Sequence, residues 1–128
     1  MAQDGFLAAL GRLSVDCPQV EGAVLATREG LVLVATGCLR GDVSAASAAH
    51  LVDRVDQNLS LMVSTQCSEL LIWASPSVWY LTRLPDQCVL MVCSAPTCRA
   101  GTLRLAGKNV ARQLAVLLMP AAKGVNAA

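Results

Sequence analysis

The most reactive side chains in this 128-residue chain belong to six cysteines and one histidine. The cysteines are Cys17, Cys38, Cys67, Cys88, Cys93 and Cys98. An even number would suit a disulfide framework, but the sequence opens without the basic and apolar leader of a secreted protein. It also has no CxxC motif, and one histidine leaves only an unusual all-cysteine metal site. We therefore predict reduced packing cysteines, no metal and no cofactor, and keep a redox pair of Cys93 and Cys98 as an alternative.

The single histidine, His50, stands next to no recognisable nucleophile motif. The sequence contains no GxSxG, no glycine-rich phosphate loop and no HExxH. Because no nucleophile or acid–base pair with an orienting partner can be assembled, we predict that the chain is not an enzyme. His50 instead shares one side of a predicted helix with Asp53, Arg54 and Gln57. That side is either a solvated face or a polar surface that binds a partner.

Hydrophobic residues make up 55% of the chain and charged residues 15%, with a net charge of +1. This composition excludes a disordered segment. It also excludes a membrane span, because no stretch has the roughly 18–20 consecutive apolar residues that a spanning helix needs. In a small domain, such an apolar composition favours a second buried surface at a subunit interface. With neither a leader nor a span, we expect a cytoplasmic protein.

The basic residues are concentrated near the end of the chain. Residues 99–128 carry five of them and no acid, and Arg104, Lys108 and Arg112 recur every four residues. This spacing indicates one stripe on a helix. The stripe is either solvated or a surface for an acidic partner or anionic headgroups. No aromatic residue follows Tyr80, so no base-stacking platform is present, and we expect no nucleic-acid partner.

Hydrophobic periodicity and turn residues predict the elements of the first third of the chain. Apolar residues three and four apart predict a first helix that Asp4 caps and Pro18 ends. A β-hairpin follows, with strands at 20–27 and 31–36 and with Gly30 in the reversal. Both strands are almost entirely apolar, which favours a sheet covered on both faces.

The remaining elements are a long helix, three strands and a last helix. The long helix is predicted over 44–64, and its Ala- and Ser-rich start would allow close approach of another element. Strands follow at 67–74, 78–84 and 88–93. Their connections are too short for parallel crossovers, so they form an antiparallel meander. The last helix is predicted over 98–118.

This order of elements, together with four local patterns, resembles the Roadblock family, which includes the dynein light chain Roadblock and bacterial MglB-type proteins. The patterns are the hairpin Val20–Val24 with Arg28–Val34, the helix start Ala45–Ala49, the strands Trp79–Leu84 with Cys88–Val92, and the helix start Ala100–Leu105. The resemblance covers about residues 5–118 and rests on the order and spacing of the four patterns.

The resemblance implies an α+β fold of three layers. A five-stranded antiparallel sheet would carry the long helix on one face and the first and last helices on the other. The order would be helix-strand-strand-helix-strand-strand-strand-helix. We place a single domain at 1–118 and a flexible C-terminal tail at 119–128.

The resemblance also implies a homodimer, in which the third strands pair edge to edge and the long helices meet antiparallel. We assign this interface to small and apolar residues of the long helix and the third strand. They are Ala45, Ala48, Ala49, Val52, Leu70 and Ile72. The chain's apolar composition and the open edge of the third strand fit this arrangement.

MglB-like members of the family bind a Ras-like small GTPase and modulate its nucleotide cycle, so the resemblance implies a GTPase regulator or scaffold. We assign partner binding to the polar helix side with His50, Asp53, Arg54 and Gln57. Two alternatives stay open: a structural adaptor without effect on GTP turnover, and a small-ligand or thiol sensor.

Overall fold

The structure is a computed structural model that describes the backbone of residues 2–127 and the side chains of residues 4–119. Its elements occur in the order predicted from the sequence. They are α1 (Ala2–Asp16), β1 (Val20–Ala26), β2 (Val32–Gly37), α2 (Asp42–Ser60), β3 (Glu69–Ala74), β4 (Ser77–Arg83), β5 (Val89–Ser94) and α3 (Ala100–Ala127), with a 3-10 turn at Pro85–Gln87. None of the helices in this described part is long and apolar enough to cross a membrane.

The five strands form one antiparallel sheet in the order β2-β1-β5-β4-β3. The hairpin β1–β2 and the meander β3–β4–β5 join where β1 pairs with β5. In that pair Val24 stands opposite Met91, and in the hairpin it stands opposite Ala35. The edges of the sheet are therefore β2 and β3, and the predicted α+β fold is confirmed.

Helices cover both faces of this sheet. The first and last helices pack on one face, where Leu13, Leu25, Tyr80 and Leu114 belong to one buried cluster. The long helix packs on the opposite face over a second cluster, which includes Val24 and Met91. Neighbouring residues of a strand point to opposite faces, and this explains why β1 and β5 are apolar at consecutive positions.

Two glycines are required by their positions. Gly30 has a φ of 88° in the β1–β2 reversal, as its place in the hairpin predicted. Gly107 lies on α3 where the ring of Tyr80 presses against the helix. A Cβ at this position would come within 2.4 Å of the ring, so only glycine lets α3 approach β4 this closely.

Boundaries of all three helices differ from the prediction. The first helix starts at Ala2, so Asp4 lies in its first turn rather than at its cap, and the long helix starts at Asp42 rather than at 44. The long helix ends at Ser60 rather than at 64, and the chain then returns so that the Cys67 amide donates to Asp56 Oδ1 at 2.6 Å. The last helix starts at Ala100 rather than at 98 and continues to Ala127, into the segment for which we predicted a tail. The flexibility of 119–128 stays a prediction.

Candidate functional site

Three of the predicted interface residues face the chain's own sheet. The side of α2 that packs on the sheet carries Ala45, Ala48 and Val52. All three are buried, and the two alanines have no exposed surface at all. Their small side chains therefore let α2 lie close to β1 and β5, and they leave no surface there for a second chain. The other three residues, Ala49, Leu70 and Ile72, are half-buried.

An apolar groove of about 400 Å³ lies between the first half of α2 and the end of the sheet formed by β3 and β4. It arises because α2 lies over β1 and β5, while β4 and β3 extend past it. We call this the apolar groove. Its walls include Val43, Leu51, Ile72, Trp79 and Met91. Val43 is 80% exposed, an unusual degree of exposure for a large aliphatic side chain.

The edge of β3 continues the apolar groove. In the described chain β3 pairs only with β4, so its outer backbone groups face away from the sheet. An open, apolar edge strand is a template for pairing with another strand. Leu70 and Ile72 point from this strand toward the α2 side. The apolar groove and the open edge thus form one continuous surface.

A second, polar groove of about 740 Å³ lies on the other side of α2. Its walls include Arg28 and Glu29 from the β1–β2 turn, and His50 and Asp53 from α2. Ala49 also lines this polar groove rather than the apolar one. Of the four residues predicted to bind a partner, the structure therefore brings His50 and Asp53 into one groove.

The two remaining partner-binding candidates, Arg54 and Gln57, do not line that groove but are exposed on α2. Gln57 Nε2 donates to Asp53 Oδ2 at 3.2 Å, which joins one of these residues to the groove wall. Arg54 is exposed, and its backbone carbonyl accepts from Asn58 Nδ2 at 2.8 Å. All four side chains are exposed, and their role in binding a partner stays a prediction.

The floor of the polar groove is an ion pair whose acidic member, Asp56, the sequence analysis did not identify. Arg83 on β4 pairs with Asp56 on α2, and its Nε also donates to the Cys67 carbonyl at 3.0 Å. Its Nη1 donates to Gln87 Oε1 at 3.1 Å. Because Asp56 also accepts from the Cys67 amide, both charges are satisfied within the chain. This pair fixes the chain that follows α2 and is not free for chemistry.

Part of the basic stripe on α3 is also bound within the chain. Arg104 Nε donates to Glu69 Oε1 at 2.6 Å, and the Tyr80 hydroxyl donates to Glu69 Oε2 at 2.7 Å. The Tyr80 hydrogen bond, followed by Arg104, lowers the pKa of Glu69. Burial, followed by the same hydrogen bond, raises the pKa of Tyr80 to about 12. Arg112 further along the stripe is exposed.

The structure separates the two cysteines of the alternative redox pair. Cys93 packs in the cluster under α2, whereas Cys98 packs in the cluster under α1 and α3. Cys98 instead lies against Cys17, with the two Sγ atoms 2.9 Å apart. Among the residues the structure describes, no group of cysteine, histidine and acidic side chains could hold a metal ion.

Comparison with known proteins finds similarity in structure only. No family model matches the chain, and neither does any of the curated proteins. Solved structures with a closely similar fold do exist. "MglB with tetrameric arrangement" has a TM-score of 0.82 and 19% identity, over 91% of this chain and 90% of that chain. The gliding protein MglB from Thermus thermophilus has a TM-score of 0.81 and 18% identity, over 91% and 90% of the two chains.

A Roadblock/LC7 domain from Streptomyces avermitilis is also similar, with a TM-score of 0.75 and 19% identity over 84% of this chain and 92% of that domain. The chain therefore has the fold of the Roadblock/LC7 domains. Within that class of fold its similarity extends to the MglB proteins, and the resemblance found in the sequence is confirmed as a likeness in structure.

Proposed function

We propose that this chain is a non-enzymatic binding module that forms a homodimer and binds a Ras-like small GTPase, whose nucleotide cycle it modulates in the cytoplasm. The observation that carries the proposal is the uneven covering of the sheet. One helix spans the face that carries the apolar groove, and that face ends in an open strand. Such a surface is typical of a subunit interface rather than of a closed monomer.

A second copy of the chain is the occupant that best fits the apolar groove and the β3 edge. Two β3 strands related by a twofold axis would satisfy each other's outer backbone groups. The same operation would bring Val43, Leu51 and Ile72 of one copy toward those of the other. Among the solved structures of similar fold, one MglB is described by its tetrameric arrangement, so that protein self-associates.

In this proposal the predicted interface is revised by what each residue contacts. Leu70 and Ile72 form the contact with the second copy. Ala45, Ala48 and Val52 do not contact the second copy. They pack α2 against the sheet and so determine the shape of the apolar groove.

The polar groove is the proposed docking site for the GTPase. Its support is the accessibility of His50, Asp53, Arg54 and Gln57 beside a groove that mixes acidic and basic walls. The GTPase as partner comes from the likeness to MglB proteins. Residues of this surface could order the catalytic groups of the GTPase, which is one way in which such a partner accelerates hydrolysis.

Light scattering on a sizing column, in reducing buffer, tests the homodimer first. The expected mass is twice the 13.4 kDa of one chain. A mass of 13.4 kDa at all concentrations would contradict the proposed interface.

Phosphate release from a GTP-loaded Ras-like GTPase then tests the regulatory function. We expect the wild-type chain to change the rate, and a triple variant with His50→Ala, Asp53→Ala and Gln57→Ala to lose binding while it keeps the dimer mass. Arg112→Ala is the matched control, because Arg112 is exposed on the opposite side of the sheet. Binding without any change in phosphate release would favour the structural adaptor instead.

A further inference from the structure

Cys17 and Cys98 form a buried pair of thiols that the proposed function does not use. Their Sγ atoms are 2.9 Å apart although the residues are 81 positions apart in the chain. Cys17 is fully buried, and Cys98 is 6% exposed. Both are free thiols in this structure.

The backbone around this pair holds the two cysteines close together. Cys17 follows the last residue of α1, and Cys98 precedes the first turn of α3, so neither residue is inside a helix or strand. The Ala95 amide donates to the Gln19 carbonyl at 2.9 Å, which ties the two connecting segments together. A disulfide bond is about 2.05 Å long, so the sulfurs need to approach by roughly a further 0.9 Å.

We infer that Cys17 and Cys98 are a disulfide-forming site, which closes in the presence of a low-molecular-weight disulfide such as oxidised glutathione and fastens the end of α1 to the start of α3. Cys98 reacts first because it is the more exposed of the two. Its thiolate attacks one sulfur of oxidised glutathione, forms a mixed disulfide and releases one glutathione thiolate.

The second step is internal to the protein. The Cys17 thiolate attacks Cys98 Sγ, the Cys17–Cys98 bond forms, and the second glutathione leaves as its thiolate. In total the protein loses two hydrogens, and one oxidised glutathione is reduced to two molecules of glutathione. Burial, followed by the hydrogen bond with Cys98, raises the pKa of the Cys17 thiol.

The other cysteines provide a comparison within the same chain. Cys38 is exposed and contacts the buried Cys93 on the α2 side of the sheet. Cys38 is therefore the thiol that an oxidant meets most easily, yet its pairing would join β2 to β5 and leave α1 and α3 unlinked. The two pairs predict different linked peptides and can be told apart.

A Cys17–Cys98 bond would close a loop of most of the domain and so restrict the unfolded chain. We expect Tm to rise on the order of 10 °C on oxidation. The bond lies in the α1 and α3 layer, on the side of the sheet opposite the apolar groove. Oxidation should therefore leave the solution mass unchanged, and this result does not depend on whether the chain binds a GTPase.

Peptide mapping by mass spectrometry tests the site directly. The native chain is incubated with oxidised glutathione, denatured in acid, alkylated and digested with trypsin without reduction. Cys17 is alone in the tryptic peptide 13–28, whereas peptide 84–99 carries Cys88, Cys93 and Cys98. Fragment ions between Cys93 and Cys98 then assign the linked residue. The expected result is peptide 13–28 joined to peptide 84–99 through Cys98.

Variants connect that bond to the rise in Tm. Cys98→Ser should lose the rise, and the matched control Cys38→Ser should keep it. Any of three results would overturn the inference. They are alkylation of all six cysteines after the incubation, a link confined to Cys38 and Cys93, and a mixed disulfide that persists on Cys98. The mapping uses the wild-type chain, so the site is tested even if a variant does not fold.

Discussion

The two faces of the sheet are covered to different extents. Two helices, α1 and α3, cover one face, where Tyr80, Leu90 and Leu103 have no exposed surface. One helix, α2, covers the other face and leaves Ile72 and Trp79 half-buried at its end. The closed face therefore supplies stability that belongs to one chain. The open face carries apolar area that a second molecule can still bury.

Each face also has an ion pair near the β3–β4 end, and the two pairs have different roles. Glu69 on the closed face joins Tyr80 to Arg104 and so links strand to helix. Asp56 on the open face joins Arg83 to the Cys67 amide and positions the chain between α2 and β3. The second pair forms the floor of the polar groove, and so it shapes a surface rather than a core.

The largest expected effect is a cavity on the closed face. Leu103→Ala removes a fully buried side chain and should lower the free energy of unfolding by about 2–5 kcal/mol. Urea denaturation followed by circular dichroism measures this change. Leu105→Ala, two residues along the same helix at an exposed position, is the matched control and should change stability by less than about 0.5 kcal/mol. Equal effects would mean that the two helix sides do not differ in burial.

A charge in the apolar groove should break the dimer. Ile72→Asp would place an unpaired carboxylate in the proposed interface, which we expect to weaken dimerisation by about 3 kcal/mol, or roughly 100-fold in Kd. Sedimentation over a range of concentrations measures Kd. Val116→Asp, at an exposed position of α3, adds the same charge to the closed side and should leave Kd unchanged. An Ile72→Asp variant with wild-type Kd would move the interface away from the apolar groove.

Alkaline pH should destabilise the closed face through Tyr80. Its pKa is raised from 10 to about 12 in the folded chain. The contribution of the protonated Tyr80 to folding stability is therefore complete below pH 10 and is lost as pH rises to 12. Ionisation of Tyr80 alone should lower the free energy of unfolding by about 2–3 kcal/mol in this window. Chemical denaturation at each pH measures it. Tyr80→Phe should show a smaller decline, because buried thiols still contribute. Burial raises the pKa values of Cys17 and Cys93 to about 11, and it also raises those of Cys67 and Cys88.

The smallest expected effect is a difference in stability between variants at two arginines of the basic stripe. Arg104→Ala breaks the partly exposed pair with Glu69 and should cost about 0.5–1 kcal/mol, whereas Arg112→Ala should cost close to zero. The Glu69 pKa is lowered in the folded chain, so its contribution is present at neutral pH and is lost as pH falls through that lowered pKa. Thermal unfolding at neutral and acidic pH compares the two variants. A loss of stability that is the same for both would show that the stripe is uniformly solvated.

Local patterns in the sequence determined most of the fold. Apolar runs, helical spacing and turn residues predicted every helix and strand in the correct order, and Gly30 predicted the turn of the hairpin. These features depend on residues within a few positions of one another, so a single sequence carries them. The placement of the helices on the two faces of the sheet followed from the resemblance to the Roadblock family. The polar side of α2 followed from helical spacing.

The tertiary structure decided which residues contact one another across the chain. It turned Ala45 and Ala48 toward the chain's own sheet, because a helix pattern gives a face but not the neighbour that the face meets. It paired Arg83 with Asp56, 27 positions away, and Cys98 with Cys17 rather than Cys93. It also placed α2 over β1 and β5, so that β3 and β4 extend past the helix and the apolar groove stays open. Such contacts depend on the relative placement of whole elements, which no local spacing of residues records.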